Sequence, residues 1–474
     1  MNSLRSFGIS RRQALRGVGC GFGGLAMGAM AHRVAAAANP LMPKLVHHAP
    51  KAKRVIFLFM AGGVSHVDSF DYKKKLFEDD GKLLRFDDAR TLAKTRQIVE
   101  QKVMKPLWNF KKHGQCGQQV SELFPFIGGH VDDLCFLKGV HTEGVAHDPS
   151  TLFLHTGNIN LVRPSMGSWI HYGLGMENEN LPAFVTLGPG MGNGGPRNYS
   201  NAFLPAAYQG MPIGRAGISA KQASIDNISA SDITALDQKK QFDLLRQLNA
   251  AQASRRPGDD ELEAIIGSFE LAWRMQSNAP SIIDISKERK QTKEMYGIGQ
   301  KHTDSFGRYC LMARRLSESG VRYVQVNYAN NGSAPWDQHS DMPKHMQHAR
   351  ATDQPVAALL QDLKQRGLLE DTIVWWGSEF GRTPYAEKKG TGRDHNSYGF
   401  TMWLAGGGFK PGLAYGGTDE YGHHAVEGKV HMHDLHATIL HQLGLDHEKL
   451  TYRYDGRDFR LTDVHGSVVH DVLS

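Results

Sequence analysis

Cysteine is scarce in this chain, and none of Cys20, Cys116, Cys135 and Cys310 stands in a Cys-x-x-Cys pair. The three cysteines beyond the leader described below allow at most one bridge, which excludes a disulfide scaffold. There is no internal repeat and no low-complexity tract. No apolar run approaches the ~20 residues that a membrane-spanning helix needs, so no integral membrane span is expected. Acidic residues are missing from residues 1–38, which hold Arg5, Arg11, Arg12, Arg16 and Arg33. These five account for most of the formal excess of +7, leaving +2 for the rest. The basic balance therefore makes no case for nucleic acid or an anionic membrane as partner.

What is present begins with an address. Ser10-Arg11-Arg12-Gln13-Ala14-Leu15 is a twin-arginine pattern, followed by a weakly apolar, glycine-rich stretch over 18–31 and a small-residue cleavage site at 35–38. The reading is a signal peptide over 1–38, handled by the twin-arginine export machinery, and a mature chain that is periplasmic or extracellular. Residues 39–474 are long for one domain but within the size of α/β enzymes with insertions.

Residues 55–60 are six consecutive apolar positions, the pattern of a central parallel strand. They run into a glycine-loosened loop carrying Ser65, His66 and Asp68. Further short strands are expected at 134–137, 183–187, 321–326, 372–376 and 400–404. A helical insertion is expected over about 237–319, and an amphipathic helix over 436–443. Strands alternating with helices predict a layered, mostly parallel α/β sheet, whose ligands gather at the carboxyl ends of strands. The glycine run at 188–196 lacks the spacing and lysine of a P-loop and reads as a surface loop.

Just past the strand at 321–326 come Asp337, His339, Asp341 and His345; Glu379 follows the strand at 372–376, and Asp394-His395 lie beyond it. Carboxylates and imidazoles at successive strand ends predict one site for a divalent metal, zinc, calcium or manganese, with one or two ions. Ser65, His66 and Asp68 are too close in sequence for a relay triad, so His66 and Asp68 read as further metal ligands or as loop hydrogen-bond partners. Trp336, beside the cluster, is the candidate for substrate contact.

The order of these pieces resembles the alkaline-phosphatase-like superfamily and, within it, the secreted, sulfatase-like family called domain of unknown function 1501. The carriers are residues 57–63 with 65–68, then Gly377-Ser378-Glu379-Phe380-Gly381-Arg382-Thr383, then residues 436–445 with Gly456-Arg457-Asp458. The resemblance implies an alkaline-phosphatase/sulfatase-like layered sandwich over 39–474, with a mostly parallel central sheet, the helical insertion and a smaller C-terminal part. The sulfatase signature C-x-P-S-R-x-x-x-x-T-G falls on residues 147–157, where Pro149, Ser150, Thr156 and Gly157 match. His147 stands at the nucleophilic cysteine and Thr151 at the arginine. A formylglycine mechanism is thereby excluded, because imidazole cannot be oxidised to the aldehyde hydrate. The superfamily's late Asp-His metal pair falls on Glu379-Phe380, while Asp341 and His345 keep the Asp-x-x-x-His pair.

The expectation is an exported, metal-dependent hydrolase of sulfate or phosphate esters. Its substrate would be a small anionic ester or a sulfated or phosphorylated glycan. His147 or His395 would protonate the leaving group, and Arg382 would clamp an anionic oxygen. The alternative is a catalytically degenerate binding or assembly protein on the same fold.

Overall fold

The computed structural model describes residues 41–474 apart from 227, 229–232, 257–258, 333 and 388–389. The twin-arginine segment and its cleavage site lie outside the described residues. The apolar runs of the sequence become the strands of one sheet. In chain order the strands are β1 (Arg54–Met60), β2 (Leu134–His141), β3 (Phe184–Leu187), β4 (Met211–Ile213), β5 (Tyr323–Tyr328) and β6 (Thr372–Gly377). There follow β7 (Gly381–Glu387), β8 (Gly392–Asn396), β9 (Phe400–Ala405), β10 (Ala414–Tyr415) and β11 (Val430–His431). β7 and β8 pair only with each other, as an antiparallel hairpin. The rest make a nine-stranded sheet in the order β10-β2-β9-β6-β1-β5-β3-β4, with β11 also paired to β2.

β1 is buried along its whole length and pairs in parallel with β6 on one side and β5 on the other. Within the sheet only β9 runs against its neighbours β6 and β2. The layered, mostly parallel α/β sandwich expected from the sequence is thus the architecture observed. Aromatic rings fill the space around the central strands. Trp375 stacks on Phe57 at 3.7 Å between centroids, and Trp376 lies parallel to Trp403 at 5.9 Å.

Helices connect and cover the strands: α1 (His147–Thr156), α2 (Met166–Leu174), α3 (Ala235–Arg255), α4 (Asp260–Ile283), α5 (Asp304–Glu318), α6 (Lys344–Gln365) and α7 (Met432–Gln442). Thr234 and Asp259 cap α3 and α4 by accepting backbone N–H groups of Asp237 and Leu262. α7 begins four residues before the expected helix because His431 and Asp434 form a reciprocal capping box. No helix among the described residues is long and apolar enough to cross a membrane.

Four segments leave the carboxyl ends of parallel strands together. They are the Gly62-Gly63 turn after β1, the start of α1 after β2, the loop after β5, and the β7–β8 hairpin after β6. This is the edge at which an open α/β sheet binds its ligands.

Candidate metal centre

Asp337 is the centre of the constellation. Its loop is drawn against the sheet where the Trp336 N–H donates to the Ala61 carbonyl at 3.1 Å. Gly62 makes that approach possible, having a φ of +117° and no side chain. A Cβ there would stand 2.7 Å from the Asp337 nitrogen and 2.8 Å from the Trp336 nitrogen. The Arg382 guanidinium, fully buried on β7, donates from Nη2 to Asp337 Oδ1 at 2.7 Å. Its other donors reach the carbonyls of Gly63 at 2.9 Å, Arg393 at 3.1 Å and Gly62.

Three imidazoles surround the same carboxylate oxygen. Nε2 of His339, His147 and His395 lie 2.9, 3.1 and 3.4 Å from Asp337 Oδ1. The opposite nitrogen of each ring is committed elsewhere. His147 Nδ1 donates to Glu379 at 2.6 Å, His395 Nδ1 to the Val145 carbonyl at 3.0 Å, and His339 Nδ1 to Glu387. A carbonyl or ionised carboxylate only accepts, so each Nδ1 carries the hydrogen and each neutral ring turns its Nε2 lone pair inward. Two of these lone pairs, on His339 and His395, face each other at 3.0 Å. Such an arrangement calls for a cation between them, a proton or a metal.

The electrostatics express the same demand. Burial pushes the His147 imidazole down, but the Asp337 and Glu379 carboxylates outweigh it and raise its pKa to about 9. Burial lowers His395 to about 4 despite Asp337, with Arg382 and His147 adding to the effect. Burial alone would raise the Asp337 carboxyl; its hydrogen bonds to the three rings and the Arg382 charge hold it far below the usual range instead. The cluster is thus one carboxylate sharing few protons among three rings.

These donors fit a metal. Their ligating atoms all lie within 4.8 Å of one another. A tetrahedral zinc with bonds of about 2.0–2.1 Å separates its ligands by about 3.3 Å. The distances of 2.9–3.4 Å within the cluster bracket that value. Three imidazoles and one carboxylate suit a borderline dication, whereas calcium takes six to eight oxygens. The ring-to-acceptor bonds on the far side complete the second layer that metal-binding histidines use. A second group, Asp87 with His423 and His424, lacks that layer. His423 Nδ1 is buried without a partner, so Nε2–H donation to Asp87 at 3.1 Å accounts for the contact.

The structure brings together Asp337, His339, His147 and His395, and seats Glu379 directly behind His147. It does not bring the other expected ligands to them. Asp341 lies at the surface, paired with Lys344 at 3.2 Å. His345 is wholly buried, accepts the Ser65 N–H at 3.3 Å and packs edge-on against Trp336. His66 Nε2 donates to the Gly422 carbonyl at 2.7 Å. Asp68 forms a fully buried ion pair with Arg393 at 2.7 Å. Trp336 is buried and unavailable for substrate contact. Arg382 has its guanidinium spent on backbone and Asp337, so it positions the carboxylate instead of clamping an anion. His147 and His395 lie in the cluster with Nδ1 held from outside and Nε2 turned toward Asp337.

Glu387 and the Val145 carbonyl carry no mark in the sequence. Glu387 sits on a hairpin whose glycines and charges do not read as strands. Gly392 lets β8 close on the His339 loop, where a Cβ would collide with the His339 backbone at 2.2 Å. Phe380, one residue past Glu379, stacks on the His395 ring at 4.3 Å and floors the site.

A family model described as "Protein of unknown function (DUF1501)" matches residues 52–473. No curated protein matches the chain by sequence. Among solved structures it is similar to PsFucS1 sulfatase from Pseudoalteromonas sp. at 12% identity and TM-score 0.35, covering 84% of this chain and 68% of that one. It is similar to the lipoteichoic acid synthase LtaP from Listeria monocytogenes at 9% and 0.33, covering 90% and 80%. A protein in the alkaline phosphatase superfamily from Vibrio parahaemolyticus stands at 8% and 0.34, covering 88% and 76%. At these TM-scores the likenesses carry no argument of their own.

Proposed function

The chain belongs to the DUF1501 family, and from that premise we propose that it is an exported, metal-dependent hydrolase of sulfate or phosphate esters. The observation that carries the reading is the convergence of three Nε2 lone pairs and one carboxylate oxygen, with every Nδ1 held by an acceptor outside. The twin-arginine pattern at residues 10–15 supports export, a route that admits chains already folded around a metal.

His147, His339, His395 and Asp337 would hold one zinc or manganese ion. When bound, such an ion would supply Lewis acidity toward a water or an ester oxygen admitted beside the four side chains. The residues do the rest by placement. Glu379 and Glu387 fix the His147 and His339 rings and raise their basicity, and Arg382 holds Asp337 in register. Phe380 keeps water from the His395 face. Ser150 and Thr151 are buried in α1, so neither supplies a nucleophilic hydroxyl. Aryl esters, whose leaving groups need no proton, are the favoured test substrates.

A second reading is a metal-holding protein without turnover. The full commitment of Arg382 favours it, since that leaves the cluster without an anion clamp.

Elemental mass spectrometry of protein purified without chelators tests the site. Stoichiometric metal lost in Asp337→Ala and His395→Ala but kept in Asp341→Ala is the expected result. Absence of metal from the folded wild type would refute the reading. Aryl sulfates and aryl phosphates assayed on the loaded protein then separate hydrolase from binder.

A further inference from the structure

Along the same sheet edge, beyond β5, a groove runs between the glycine loop after β3, the segment after β4 and the loop after β5. Its two outer basins have volumes of about 390 and 300 Å³ and share Arg215, Ile218, Ser219 and Tyr309. At its inner end is a chamber of about 20 Å³, reached past Pro189 and Tyr199 from one basin and past Asn327 and Asn330 from the other. A space of that size admits a single hydroxyl or water.

Three polar atoms along this groove are buried without a partner: Gln325 Oε1, Asn198 Oδ1 and the Tyr309 hydroxyl. Their residues are only 2, 8 and 5% exposed. The backbone dictates which way both amides face. The Leu187 carbonyl accepts from Asn327 Nδ2 at 2.8 Å, so Asn327 Oδ1 must accept from Gln325 Nε2 at 2.7 Å, leaving Gln325 Oε1 over. The Asn193 carbonyl likewise accepts from Asn198 Nδ2 at 2.9 Å and leaves Asn198 Oδ1 over. Gly188 and Gly214 complete the walls. A Cβ at either would strike the Tyr309 ring or hydroxyl at 2.8 or 2.6 Å.

Buried acceptors without donors cost about 1–3 kcal/mol each, and native proteins rarely keep several in one place without a ligand or water. We propose that this groove is a binding site for an uncharged polyhydroxylated ligand, a sugar chain, with one hydroxyl donated into the inner chamber. Two unpartnered amide oxygens ask for hydroxyl donors, which a sugar chain supplies in series. The site uses none of the metal-cluster residues, so it stands or falls apart from the hydrolase reading.

Saturation-transfer NMR and calorimetry with neutral probes, maltotriose, cellotriose and galactotriose, test it on both metal-loaded and EDTA-treated protein. The expected result is binding of at least one trisaccharide, weakened tenfold or more in Gln325→Met and in Asn330→Ala. Asn330 lies on the exposed rim, so its variant keeps the test valid if the buried one fails to fold. No binding of any trisaccharide overturns the proposal. So does binding unaffected by either folded variant, or a response to sodium or potassium ions alone, which would make the chamber a cation site.

Discussion

Glu379→Gln is the most discriminating change at the candidate metal centre. Glu379 is fully buried and accepts the His147 Nδ1–H at 2.6 Å and the Gly62 N–H at 2.9 Å on Oε1. Glutamine keeps the shape and one acceptor oxygen, so the ring and its tautomer remain in place. What disappears is the negative charge that makes His147 a stronger donor. Removing such an outer partner typically costs 10–100-fold in metal affinity, or about 1.4–2.7 kcal/mol. Glu387→Gln acts on a different ring, His339, but both rings meet at Asp337, so the double variant should lose more than either single one, up to about 10²–10⁴-fold. Competition with a chromophoric chelator reads the dissociation constant, and circular dichroism checks that the fold survives. A double variant that holds zinc as tightly as the wild type would refute the claim that these carboxylates support metal ligands. Loss of affinity in Asp341→Ala would refute the assignment from the other side, since that residue lies outside the cluster.

Gly62→Ala should unfold or severely destabilise the chain, because its Cβ would overlap backbone nitrogens of Asp337 and Trp336 at a φ of +117°; a melting temperature within a few degrees of wild type would contradict this. Arg393→Leu leaves Asp68 buried and unpaired and should cost about 3–5 kcal/mol in urea unfolding. The double variant Arg393→Leu/Asp68→Leu should recover part of that loss. Acid stability should fall steeply. Burial lowers His155 to about 4 and His171 and His436 to about 3, below the ordinary 6.5 that these rings regain on unfolding. Their contribution is complete above pH 6.5 and drains away as pH falls towards 4. Three extra protons on the unfolded chain give a slope of about 4 kcal/mol per pH unit at the lower end. Equilibrium unfolding between pH 7 and 4.5 measures it, and a flat profile would mean that these rings are not buried neutral.

The strands were legible because burial on both faces imposes continuous apolar runs, as at 55–60, 372–376 and 400–404. Asp337, His339, His395 and Glu379 were legible as a crowd of ligand types at strand ends, and His147 through the family signature. Roles were harder to read than places. The Asp-x-x-x-His spacing of Asp341 and His345 looks like a metal pair, but α6 begins between them and carries His345 into the core beside Trp336. Arg382 suggests an anion-binding role by its place after Glu379, whereas its donors go to Asp337 and to the Gly62, Gly63 and Arg393 carbonyls. The β7–β8 hairpin does not read as strand because its charged side chains are spent inside the fold, Arg382 on Asp337 and Arg393 on Asp68. The usual alternation of polar and apolar residues is absent there.

The four donors of the cluster span residues 147 to 395, and three of them lie beyond residue 336. A growing chain therefore could not capture a metal there until most of the sheet exists, and such an ion could not nucleate folding. Whatever stability it confers should appear as slower unfolding, with the refolding rate nearly unchanged. The metal would act as a latch fitted to a finished structure, so that apo and holo chains fold alike and differ mainly in how long they stay folded.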